Sequence, residues 1–378
     1  MTTQLTRRKV LLGALAGLSV PVLYGLSRMD AFNPSTTWLS ASGSDADRFA
    51  LSFANDHGNH GSANSAFRGH GLSSNPAQPN QIVMVSRRPG NQGMVLNMAN
   101  AQQTTAEPQF FQSPKHLFME GHACFSADGA FLYCSETDRR TQKGVITVRE
   151  TQTFSVIQEL PSGGVGPHEI LVIPNTQKLA IANGGLIKDE QGQLVNGQTM
   201  NSNVSILNLV TGKIEQQYKV PESKASLRHL DVSSDGIIAV GIQVQRDFMA
   251  STDLTPLAAL ILPGQGLIQL TAPASILLKL KDYMGSVRIN DKYRTAAFTS
   301  PRGDLALFWN IDSGEFLGHH FFDNVCGLTV SQDSEFFILS NSAGKVRQLH
   351  GLTLKENISA RQSFPNLQWD NHMITLCS

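Results

Sequence analysis

Gly121-His122-Ala123-Cys124-Phe125-Ser126-Ala127-Asp128-Gly129-Ala130-Phe131-Leu132-Tyr133-Cys134 reads as a histidine opening an apolar run, a turn signal and a second apolar run. Asp-Gly between apolar runs is hairpin punctuation, because glycine accepts the positive φ such turns require. The arrangement recurs. His168 leads into Ile170-Leu171-Val172-Ile173, a turn at Pro174-Asn175, and Lys178-Leu179-Ala180-Ile181-Ala182. His229 leads into Leu230-Asp231-Val232, the turn Ser234-Asp235-Gly236, and Ile237-Ile238-Ala239-Val240. Extending the alignment yields seven stretches centred on His70, His122, His168, His229, Ser286, Cys326 and His372. Successive gaps are 52, 46, 61, 57, 40 and 46 residues. A mean of about 50 is the repeat length of a propeller blade rather than of a helical array.

Third and fourth strands follow in several repeats. Val145-Ile146-Thr147-Val148 precedes Phe154-Ser155-Val156-Ile157, and Val204 to Leu209 precedes Thr211-Gly212-Lys213 and Ile214 to Tyr218. Leu305 to Trp309 precedes Asp312-Ser313-Gly314 and Phe316-Leu317. Four short strands per repeat without an amphipathic helical pattern make a blade. The stretch Leu254 to Leu280 is less regular and reads as partly helical. The last repeat holds one strand, His372 to Leu376, while Thr37 to Ser40 and Arg48 to Phe53 read as two strands ahead of the first. The expected fold is therefore an all-β, seven-bladed propeller whose N- and C-terminal strands share the closing blade, which removes exposed sheet edges. A β-sandwich of repeated hairpins is the alternative.

Composition suits this class. The chain has 378 residues, 41% hydrophobic and 16% charged, with 32 glycines, as expected of a globular β-rich protein. Thirty basic and thirty acidic residues balance. A nucleic-acid binder would carry a clustered basic excess, so that class is set aside. Residues 1–26 read as a targeting segment, leaving 27–378 as one propeller domain. Thr6-Arg7-Arg8-Lys9-Val10-Leu11 has the form of a twin-arginine export signal, followed by an apolar stretch to Leu26. Export to the periplasm through the twin-arginine machinery is the expectation, with an uncleaved inner-membrane anchor as the alternative. Cys124, Cys134, Cys326 and Cys377 would then meet an oxidising compartment. Whether Cys124 and Cys134 face each other across their hairpin depends on its register, and buried free thiols are the other possibility. The absence of Cys-x-x-Cys argues against redox-motif and covalent c-type haem chemistry.

The chain resembles the bacterial exported family catalogued as domain of unknown function 1513. The resemblance rests on Phe67 to Gly71, Ser86-Arg87-Arg88-Pro89-Gly90, Gly121 to Gly129, Gly164 to Glu169, Ala182-Asn183-Gly184-Gly185, Leu227 to Leu230, Ser300-Pro301-Arg302-Gly303 and Trp369-Asp370-Asn371-His372. Ser135-Glu136-Thr137-Asp138 departs from it, since an Asn is expected before the Asp. The resemblance implies export and a propeller related to lactonase-like and amine-dehydrogenase-like (YVTN-like) folds. It also implies the company of imelysin-like iron-uptake proteins and dihaem oxidoreductase-like proteins. It carries no established activity.

In a propeller the aligned position opens the innermost strand, so His70, His122, His168, His229 and His372 should converge at one mouth of the channel. Neutral imidazole is the commonest metal ligand, and iron, copper or zinc would suit such a site. The alternative is that each histidine bonds a neighbouring blade and recurs because the blade does. Arg68, Glu169, Arg228 and Arg302 lie near these openings and could hold a carboxylate or phosphate-bearing ligand, or else form interblade salt bridges. Glu136 and Asp138 are expected to satisfy loop amides. His57 and His60 have plausible metal spacing in a glycine-containing loop. No nucleophile elbow, phosphate-binding loop or His-Glu-x-x-His is found. The leading expectation is a binding or accessory propeller linked to iron or another transition metal. A lactonase-like hydrolase or a metal-dependent oxidoreductase using the same mouth is the rival.

Overall fold

Turn chemistry sets the hairpins where the sequence places them: φ is +70° at Gly129, +59° at Asn175 and +88° at Gly236. Our computed structural model describes residues 36–43, 49–100, 103–104, 107–189 and 191–376. These form seven antiparallel sheets. The innermost strands are Gly69–Asn75, Leu117–Phe125, Pro167–Val172, Ala225–Val232, Ser286–Asn290, Val325–Val330 and Trp369–Leu376. Each packs against the innermost strands of both neighbouring sheets, and the last closes on the first. Six sheets have four strands; in the sheet that begins at Gly69, Gln103–Thr104 and Gln109–Gln112 both pair with Gln92–Asn100.

The closing blade mixes both ends of the chain. Trp369–Leu376 lies innermost, followed outward by Thr37–Ser42, Ala50–Asn55 and His60–Asn64. Leu39 stands opposite Ile374 and Thr37 opposite Leu376. The irregular region resolves into strands Ala258–Leu262 and Gly266–Leu270 and a short helix at Ala274–Lys279. Apolar residues on facing sheets fill the space between blades. Trp38, Ile338, Val346, Phe364, Trp369 and Met373, for example, form one buried cluster at the closure.

Register decides the cysteine question. Cys134 stands opposite Ala123 and Cys124 opposite Tyr133, so the two thiols point to opposite faces and pack in separate clusters. Both are free and buried, as is Cys326, and burial raises all three thiol pKa values. Cys377 and residues 1–26 lie outside the described residues.

Asp138 accepts from the amides of Arg140 and Thr141 at 3.0 and 2.6 Å, as expected of a loop carboxylate. Glu136 does otherwise. Fully buried on the same strand, it accepts from Arg149 Nη2 and Thr147 Oγ1, both at 2.9 Å. Arg149 also donates to the carbonyls of Gln112 and Phe154, and its guanidinium lies 4.8 Å from the Phe111 ring centroid. Removing one member leaves the other charge buried without its partner, whereas removing both need not. Arg149→Met alone is expected to lower unfolding free energy by about 3–5 kcal/mol, and Arg149→Met with Glu136→Gln to recover much of it. Urea denaturation of the three proteins checks this; equal losses in single and double variants would contradict it.

Candidate metal centre beneath a cationic mouth

The inner strands are not regular. Ladder register slips at His70-Gly71, between Met119 and Ala123, at His168-Glu169, between Leu227 and His229, at Cys326-Gly327, and between Trp369 and Met373. The Ser286 strand alone keeps its register. A bulge places an extra residue in one strand and re-aims its side chain. The slip at Gly121 has a steric reason. Its φ is +115°, and a Cβ there would stand 2.7 Å from His70 Cδ2, so only glycine lets His122 and His70 approach.

Five histidines from five consecutive blades therefore meet in the channel. Ring centroids of His122 lie 4.9 Å from His70, 4.6 Å from His168, 6.0 Å from His229 and 4.6 Å from His372. Two groups, His70/His122/His168 and His122/His229/His372, each bring ligand atoms within 4.8 Å of one another and could hold a metal ion. His122 belongs to both. His70 Nε2 and His168 Nε2 are 3.5 Å apart, close to the edge of a tetrahedron with metal–nitrogen bonds of about 2.1 Å. All five are buried, below the mouth rather than lining it in full as expected.

Their outer nitrogens are tethered selectively. His168 Nδ1 donates to the Glu120 carbonyl at 3.1 Å and His229 Nδ1 to Glu169 Oε2 at 3.3 Å. His372 Nδ1 is 3.2 Å from Ser286 Oγ, whose own proton goes to the Asn371 carbonyl, so the serine oxygen accepts. Bonds of this kind fix the tautomer and leave Nε2 as the lone pair. His122 Nε2, His372 Nε2 and His70 Nδ1 have no hydrogen-bond partner although buried. Burial holds every one of the five pKa values below the ordinary histidine value, His372 at about 3. The rings are thus neutral at pH 7, the form that ligates metals.

Above the cluster opens a cavity of about 380 Å³. It is lined in part by His70, His168 and His229 and by Arg87, Arg88, Lys188, Arg228 and Arg302. Of the four expected ligand-binding residues, Arg228 and Arg302 reach it. Arg68 does not: its Nε and Nη2 donate to Asp370 Oδ2 at 3.2 and 3.1 Å, the salt-bridge alternative. Glu169 also lies outside the cavity lining and buttresses the histidines, accepting from Leu230 N at 3.0 Å and standing 3.8 Å from His122 Nδ1. His57 and His60 are exposed in the outer hairpin and join no such group among the described residues.

The family described as "Protein of unknown function (DUF1513)" matches residues 64–376. The chain belongs to this family. No curated protein matches it in sequence. Among solved structures, the chain is similar to hydrazine synthase of Kuenenia stuttgartiensis, with a TM-score of 0.58 and 13% identity over 77% of this chain and 86% of that chain. At that identity the likeness concerns the propeller fold.

Sequence reasoning overlooked Arg87, Arg88 and Lys188. Ser86-Arg87-Arg88-Pro89-Gly90 was visible as a family motif, yet it lies on a loop between the second and third strands, remote from the histidine register. Lys188 carries no local signal; its loop reaches the mouth only once the ring closes.

Proposed function

We propose that this DUF1513 propeller is an exported binding or accessory protein that holds a transition metal, iron, copper or zinc, on its five histidines. The observation that carries the reading is the set of buried nitrogens without partners, His70 Nδ1, His122 Nε2 and His372 Nε2, on rings that belong to the two groups able to hold a metal ion. An unsatisfied buried polar atom costs about 1–3 kcal/mol, and a metal ion would satisfy several at once. We extend this reading to a role in metal uptake beside imelysin-like or dihaem oxidoreductase-like periplasmic proteins, the company that the family resemblance implies. Elemental analysis of protein purified from the periplasm tests the metal. An ion in stoichiometric amount supports the reading. Its absence, including after reconstitution with iron, copper or zinc salts, would leave the ring as blade architecture.

The enzyme reading that retains support is a metal-dependent oxidoreductase, because the cavity gives a small molecule access to His70, His168 and His229. A lactonase-like site would surround a divalent cation with carboxylates, whereas Glu169 serves here as a buttress. Export has its own test. Replacing Arg7 and Arg8 together by lysine should abolish periplasmic accumulation, since the receptor reads the arginine pair. Undiminished accumulation in a periplasmic fraction would remove the twin-arginine reading.

A further inference from the structure

Arg228 is the anomaly of the mouth. It is 6% exposed, yet its Nε and Nη1 have no hydrogen-bond partner and no described carboxylate pairs with it. Nη2 lies 3.3 and 3.2 Å from the two ring nitrogens of His168, of which only Nε2 can accept from it, because Nδ1 donates to the Glu120 carbonyl. The surrounding charges do not help. Arg88 is taken by Glu120 at 3.2 Å, and Asp282, the one carboxylate among the described residues of the cavity wall, is held by Arg246 through bonds of 2.9 and 2.6 Å. Arg302 stacks on the Tyr283 ring at 4.5 Å. Arg87, Lys188, Arg228 and Arg302 thus face one cavity with no carboxylate partner among the described residues. Burial and the neighbouring arginines lower the Lys188 pKa, as expected where positive charge accumulates.

We propose that this cavity binds a small oxyanion bearing at least two negative charges, held by bidentate hydrogen bonds from Arg228 and Arg302 and by the charges of Arg87 and Lys188. A volume of about 380 Å³ falls in the range of small-molecule sites. Planar guanidinium groups pair two-point with carboxylate and phosphate oxygens alike. Such an anion would also offset the positive charge that arginines place beside a metal in the histidines. In that sense the site deepens the metal-binding reading, but the anion needs only the arginines.

Calorimetric titration of chelator-treated wild type with citrate, inorganic phosphate and chloride tests the proposal without reference to metal. Citrate binding at one site identifies a polycarboxylate, and phosphate binding at one site a phosphate-bearing ligand. Either supports the site if chloride gives no heat. Arg228→Met and Arg302→Gln should each weaken the bound anion about tenfold or more, since hydrogen bonds to charged groups are at stake. Added salt should weaken it further. Arg228→Met should melt no lower than wild type without anion, because it removes an unpaired buried charge, and should lose the anion-induced rise in melting temperature. Failure of both anions to bind wild type, or unaltered affinity in folded variants, would overturn the proposal. Neither result bears on the metal, which elemental analysis reads separately.

Discussion

Replacing His122 by alanine is expected to reduce bound metal to less than one-tenth of the wild-type content, because His122 belongs to both candidate ligand groups. His168→Ala and His229→Ala each damage one group and should leave intermediate content. Glu169→Gln keeps every imidazole but weakens the acceptor for His229, and loss of such an outer partner weakens metal affinity by roughly 10–100-fold. Metal content and melting temperature measured on the same variants distinguish the readings. A fall in stability with unchanged metal content would assign the histidines to architecture.

The pH dependence has a definite sign. The folded protein holds all five imidazoles below their ordinary pKa of about 6.5. The unfolded chain therefore binds more protons below that pH. The stability these groups contribute is complete above about pH 6.5 and is lost as the pH falls, down to about 3 for His372. Each contributes a slope approaching about 1.4 kcal/mol per pH unit. Metal-free protein should thus lose stability progressively as the pH falls below about 6.5. Bound metal should persist below pH 6.5, where exposed histidine sites already release theirs. Circular dichroism along an acid titration checks the first point and metal content along the same titration the second.

Ending the chain before His372 is the second large perturbation. It removes Met373, Ile374, Thr375 and Leu376, which pair with Ser40, Leu39, Trp38 and Thr37. Met373 and Leu376 are essentially fully buried, and His372 is one of the five. Strand Thr37–Ser42 would present an open edge to the channel, and the Val325–Val330 strand would lose its neighbour. The truncated protein should show no cooperative thermal transition near that of wild type. A synthetic peptide spanning residues 367–378 should restore one. A melting temperature within a few degrees of wild type would contradict closure by the shared blade.

The blade count and the shared closing blade were legible in the sequence because they rest on local rules. Asp128-Gly129 and Asp235-Gly236 turn the chain wherever they occur, apolar alternation makes the flanking runs strands, and the spacing of seven aligned positions counts the blades. The convergence of His70, His122, His168, His229 and His372 was legible for the same reason. Equivalent positions in a closed ring of repeats point to one axis.

Other features had no local signature. The bulges that carry the histidines into one cluster depend on contacts such as Gly121 against His70, which are 51 positions apart in the chain. Arg68 and Asp370 meet only because the ring closes, and Glu169 faces His229 because neighbouring inner strands pack side by side. Arg87, Lys188 and Arg302 come from loops of three different blades, and blade packing sets which of their side chains share a cavity. Periodicity and turn chemistry act over a few residues and survive in the linear chain. Bulge placement, burial and the meeting of charges are products of non-local packing, and here they determine which residues form the candidate metal centre and which form the mouth above it.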